Sequence, residues 1–153
     1  MEALENKMTN LLNELTEVSN AYKDISSEIK SLNAQIRFTG QYWANRNIYE
    51  QYISLPNNKK DDFYNAHTPE IILYKAARDY LSDKKINNKL PSVKALTVKR
   101  DILKQKQLSL YKERTTLSSK YKETKVLYTN TKSMLDDKRF DRNRNQYKNE
   151  PKL

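Results

Sequence analysis

The sequence predicts an all-α protein: a long antiparallel coiled-coil hairpin with a small helical cap at its tip and a disordered basic C-terminal tail. Three observations carry that expectation. One glycine and four prolines in 153 residues leave little material for tight turns, which disfavours an all-β chain and favours uninterrupted helices. From Leu4 to Ile36, apolar residues recur at steps alternating four and three: Leu4, Met8, Leu11, Leu15, Val18, Tyr22, Ile25, Ile29, Leu32 and Ile36. A second such seam begins at Val93, with leucines every seven residues from Leu96 to Leu117 and continuation through Tyr121, Thr124, Tyr128 and Thr131 to Leu135. A sustained period of 3.5 residues is the signature of left-handed coiled-coil packing.

Taken in order, residues 1–39 form the first arm. Helix this polar is poorly stable alone, so its narrow stripe needs a partner, and the second seam supplies one. Gly40 can take the left-handed conformation that ends a helix, so the arm is expected to stop near Thr39. Residues 40–91 then make the cap. Tyr42, Trp43, Ile48, Tyr49, Tyr52 and Ile53 recur at helical spacing up to Pro56, and a short helix with Phe63 and Tyr64 follows. Thr68, Pro69 and Glu70 read as a helix start, with a capping hydroxyl, a proline in the first turn and a carboxylate at the positive end of the dipole. Along that helix Leu73, Ala76, Ala77, Tyr80 and Leu81 are expected to share the packed face, with Trp43 as the central packing residue of the cap.

Residues 92–136 form the second arm, opened by Pro91 and Ser92. Arg100, Gln107 and Arg114 interrupt its seam and are expected to send their heads outward while their stems pack. Residues 137–153 lose the apolar period and are expected to be a disordered tail. Heptads leave intramolecular and intermolecular pairing open, so the hairpin stands beside a homodimer.

Charge is placed unevenly along the chain. Residues 1–93 carry 12 Lys/Arg and 12 Asp/Glu, whereas residues 94–153 carry 17 against 7, which is the whole net charge of +10. A polyanion is the partner such asymmetry suits, and DNA leads. On the second arm Lys99, Lys104, Lys106, Lys112, Lys120, Lys122, Lys125 and Lys132 occupy outer positions, and Lys138, Arg139, Arg142 and Arg144 extend the ladder into the tail. Changing Lys120, Lys122 and Lys125 together to glutamate is expected to abolish DNA binding while helicity survives. Tyr147 interleaves with the tail cations and offers a ring for stacking on bases. A solvated basic helix face with no partner is the competing explanation.

Other chemistry is poorly provided for. No cysteine is present, a single glycine rules out a glycine-rich phosphate loop, and no cofactor is implied. His67, the one histidine, lacks companions at metal-ligand spacing and reads as a structural or surface residue. Asp61 with Asp62, and Asp136 with Asp137, read as solvated helix-end charges rather than an acid and base pair. There is no apolar run of membrane-spanning length, so a cytoplasmic chain without membrane insertion is expected. Heavy use of Lys, Asn, Tyr and Ile suits an AT-rich genome.

Three blocks, QIRFTGQYWANRNIYEQY, DDFYNAHTPEIILYKAARDYL and KLPSVKALTVKRDILKQKQLSLYKE, resemble the helical C-terminal region of relaxases, the mobilisation nucleases of conjugative elements in low-GC Gram-positive bacteria. The resemblance covers residues from about 25 to 135 and rests on packing and turn residues. It implies a noncatalytic accessory domain in bacterial DNA transfer. In a relaxase, a tyrosine and a histidine-bound metal in a separate nuclease domain nick DNA, and no residue here corresponds to them. Implied partners are DNA, the coupling protein or type IV secretion components, and a second copy. The alternative expectation is a standalone coiled-coil scaffold or protein–protein adaptor whose aromatic cap docks a protein. A metal-dependent nuclease is a distant third.

Overall fold

The computed structural model describes residues 1–148 except Asn87. Among the described residues the fold is all-α, with α1 spanning Glu2–Ser54, α2 Asn57–Ala66, α3 Thr68–Leu81 and α4 Val93–Lys148. Two compact units are present: one of Met1–Lys23 with Leu108–Leu153, the other of Asp24–Gln107. Unit 1 is the former and unit 2 the latter.

Unit 2 contains the middle of the first seam and the start of the second. Ile29, Leu32, Leu96 and Leu103 form a buried cluster, with Ile25 and Ile36 packed against it. Arg100 Nη1 donates to Asn33 Oδ1 at 3.3 Å, and Gln107 Nε2 donates to Ser26 Oγ at 3.0 Å. Seven residues forward on α4 correspond to seven back on α1, so the two helices are antiparallel here. Unit 1 shows the same sense by itself. The Tyr22 and Tyr111 rings lie 6.4 Å apart, and Tyr128 donates its hydroxyl to Glu5 Oε1 at 3.2 Å. Leu11, Leu117 and Thr124 are its buried residues. Arg100 and Gln107 therefore meet polar side chains of α1 rather than only water.

Gly40 does not end the first helix. Its φ is not positive, and α1 runs through it to Ser54. A mid-helix glycine costs about 0.5–1 kcal/mol relative to alanine, too little to stop a helix whose neighbours on both sides are buried or stacked. The actual stop is Pro56: it lacks an N–H, it disfavours helical geometry at Leu55, and its extended ψ of 148° starts α2. A Cβ built on Gly40 meets nothing within 4 Å. Gly40→Ala is accordingly expected to stabilise the fold by about 0.5–1 kcal/mol, read as a rise of the thermal midpoint by a few degrees.

The rest of unit 2 is organised around α3. Its packed face is Ile71, Tyr74, Ala77 and Leu81, with Ile71 and Ala77 fully buried. This corrects the expected face: Leu73 is 41% exposed, Ala76 is exposed and Tyr80 is half-buried. Trp43 is also not the central packing residue, being 52% exposed. That place belongs to Tyr74, whose ring stacks on Tyr42 at 5.0 Å and Tyr49 at 4.3 Å, while Phe38 stacks on Tyr80 at 4.2 Å. Adjacent Tyr42 and Trp43 point about 100° apart on a helix, so only one can face α3. Thr39, beneath this layer, is fully buried, and its hydroxyl oxygen has no hydrogen-bond partner among the described residues.

Thr68 does not cap α3. Its hydroxyl donates back to the Tyr64 carbonyl at 2.6 Å, closing the end of α2, and His67 holds the junction with its ring 4.5 Å from Phe63. The loop before α4 turns at Asn88, in the left-handed region with φ 60°, between paired Ile86 and Lys89. Ser92 caps α4 as its type suggests, accepting the Ala95 N–H at 3.1 Å.

Residues 137–148 are helical, which corrects the expected disordered tail over that span; residues 149–153 lie outside the described residues. On α4 every residue from Lys132 to Lys148 is exposed, and the helix continues past the end of the apolar period. Loss of the apolar period is therefore not loss of helix. Extending an existing helix needs no new nucleus, and no Gly or Pro lies between Lys132 and Lys148.

Burial, then the neighbouring Tyr42 hydroxyl, push the Tyr74 phenol up to about 12 from its ordinary 10. Because the folded value is raised, the contribution of neutral Tyr74 is complete below pH 10 and is lost as pH rises through about 12. Across that window the native chain is expected to lose on the order of 2 kcal/mol relative to Tyr74→Phe, which cannot ionise there. Urea denaturation of both proteins at stepped pH measures it.

Candidate nucleic-acid interface

All twelve cations expected to contact DNA are exposed, and none forms an ion pair among the described residues. Lys99, Lys104 and Lys106 belong to unit 2, and Lys112, Lys120, Lys122, Lys125, Lys132, Lys138, Arg139, Arg142 and Arg144 to unit 1. The structure also redistributes the charge. Unit 1 holds 14 Lys/Arg against 10 Asp/Glu and unit 2 holds 15 against 9, so the sequence asymmetry does not become one basic unit and one neutral unit. It becomes a property of α4, which carries 16 Lys/Arg and 6 Asp/Glu.

The ladder is not a single stripe. Relative to the inward row of Arg114, Leu117, Tyr121, Thr124 and Tyr128, heptad spacing puts Lys122, Lys125, Lys132 and Arg139 to one side. Lys106, Lys120 and Arg144 fall to the other, and Lys112 lies at the back. Lys120 is thereby separated from Lys122 and Lys125, its neighbours in sequence. Lys125, Lys132 and Arg139 repeat every seven residues, about 10 Å at the standard helical rise. Phe140, Asn143, Arg144 and Tyr147 share a further face near the end of α4, where Phe140 is 68% and Tyr147 77% exposed.

Arg114, whose head is expected to point outward from the seam, lies against two aromatic rings and stays partly exposed. The Arg114 guanidinium lies 4.5 Å from the Tyr22 ring centre and 5.6 Å from that of Tyr111. It borders an open cleft in unit 1 with Ser19, Ser118 and Lys122. The signal in sequence was an arginine on a seam, but choosing its neighbours required knowing which α1 residues lie opposite.

In unit 2, Arg46 stacks over Trp43 at 5.1 Å and pairs with Glu50 at 2.8 Å, a hydrogen bond that raises its already high pKa. Arg78 Nη1 donates to the Tyr49 hydroxyl at 3.0 Å. Among the described residues no three His, Asp or Glu side chains come together as a metal-holding group, and no helix is long and apolar enough to cross a membrane. No protein-family profile, curated protein sequence or solved structure matches this chain.

Proposed function

We propose that the chain is a noncatalytic helical module that binds nucleic acid through α4, working as the accessory region of a DNA-mobilisation relaxase in the bacterial cytoplasm. The observation that carries the DNA part is the unpaired row of Lys122, Lys125, Lys132 and Arg139 on one flank of α4. Cations repeating along one helix and fixed by no carboxylate suit phosphate contacts that position the protein without reading bases. Phe140 and Tyr147 beside Arg144 add rings for stacking where a strand is open. The relaxase setting rests on the three sequence blocks of residues 25–135, and with it come the coupling protein or secretion components as further partners. In this reading α1 and α4 form an antiparallel coiled-coil hairpin capped by α2 and α3.

The test is the salt dependence of binding to a short duplex. Contacts from four cations give a log–log slope of about −3.6 against salt, with binding retained at physiological ionic strength. A complex seen only well below 0.1 M salt would reject the proposal, since net charge alone produces that.

A specific observation favours a second reading, a protein–protein adaptor. Trp43, Ile53 and Ile72 are each about half exposed in unit 2. Under that reading Trp43→Ser abolishes partner binding and leaves DNA indifferent.

A further inference from the structure

The row of cations on the α4 flank leads into a cleft that a charge ladder does not account for. In unit 1, Leu15 and Ser19 of α1 face Tyr111, Arg114, Ser118 and Lys122 of α4 across an open cavity of about 380 Å³. Thr115 and Ser119 complete its lining, which includes two cations and no carboxylate. This excludes a cation site on charge alone and suits an oxyanion.

Arg114 is the positioned element. It arises from the inward row of α4, where an arginine usually needs a carboxylate or an escape to water. Here two tyrosine rings support the guanidinium, at 4.5 and 5.6 Å, and among the described residues no acidic group engages it. Its planar set of N–H donors is held in place without being used up, the arrangement that permits two-point recognition of a phosphate. Lys122 adds a second charge two turns along. The Thr115 hydroxyl is committed to the Tyr111 carbonyl at 3.0 Å, whereas Ser19, Ser118 and Ser119 make no side-chain hydrogen bond among the described residues and remain as donors. Leu15 and the Tyr111 ring give the cavity an apolar wall.

We infer that this cleft binds a phosphate group, gripped by Arg114 and Lys122 and completed by serine hydroxyls. The cavity exceeds what a bare phosphate occupies, so the ligand class is a phosphate carrying an organic group, with a nucleotide unit fitting the apolar wall. The identity of the carrier rests on the nucleic-acid reading; the phosphate chemistry does not. A phosphate at this point would anchor the strand whose neighbouring phosphates meet Lys125 and Lys132.

The experiment follows the amide resonances of the isotope-labelled full chain during titration with inorganic phosphate, against sodium chloride at matched ionic strength, and then with a short DNA duplex. Saturable phosphate shifts confined to residues 111–122 and Ser19 are expected. They should weaken about tenfold or more in Arg114→Gln. Ser119→Glu, at an exposed helical position, should do the same with helicity unchanged, so a failure of Arg114→Gln to fold does not protect the inference. Phosphate shifts no different from chloride, or equal affinity in Ser119→Glu, would overturn it. Phosphate binding in the cleft without duplex binding would uphold the cleft and reject the nucleic-acid reading. Duplex binding along Lys125 and Lys132 that leaves the cleft amides unmoved would reject the cleft and keep that reading.

Discussion

Reversing Lys125, Lys132 and Arg139 to glutamate is expected to weaken duplex DNA binding by about 100-fold or more while leaving far-ultraviolet helicity unchanged. The three residues are exposed, share one flank of α4 and take part in no ion pair among the described residues, so no native contact is lost with them. Each phosphate contact removed should also lower the salt slope by about one, giving a change of about three. The control is decisive because it changes net charge equally. Lys112, Lys120 and Arg144, reversed together, lie at the back or on the other flank, and this triple is expected to cost far less. Equal losses in the two triples would mean that only net charge matters and that the flank is not an interface. Isotherms at two salt concentrations suffice for each protein.

Ile71→Ala is expected to destabilise unit 2 by roughly 2–5 kcal/mol, the largest effect of any single truncation in the cap. Ile71 is fully buried and belongs to the one face through which α3 is attached, next to Tyr74 and its stacked partners. A cavity there cannot be filled by rings already held at 4.3 and 5.0 Å by their own contacts. Leu73→Ala, two residues away and 41% exposed, should cost no more than about 1 kcal/mol. Denaturant midpoints of the two variants distinguish the packed face in the structure from the face that spacing alone suggested. Similar losses for both would show that α3 packs differently.

The two faces differ for a reason that bears on the whole chain. Over α3 several apolar spacings fit a helical stripe, because Ile71, Ile72, Leu73, Tyr74, Ala76, Ala77, Tyr80 and Leu81 nearly encircle it. Sequence then shows that a helix exists but not which side is covered. On α1 and α4 the apolar residues are sparse, and a single stripe satisfies them. There the inward residues, from Leu11 to Leu32 and from Leu96 to Thr124, are those that period selects. The candidate interface falls between these cases. That α4 is basic was legible from counts, whereas the grouping of Lys122 with Lys125 and not Lys120, and the seating of Arg114 against Tyr22, were not.

Sequence by itself determined the all-α class, the inward rows of the two long helices, the stop at Pro56 and the start of α4 after Pro91 and Ser92. These are local matters, set by backbone chemistry and by periodicity about a helix's own axis. Only tertiary structure decided that Gly40 stays helical, that Tyr74 and not Trp43 is central, and which cations border a cleft. Those outcomes depend on what stands opposite each residue, and no spacing along one helix contains the position of another.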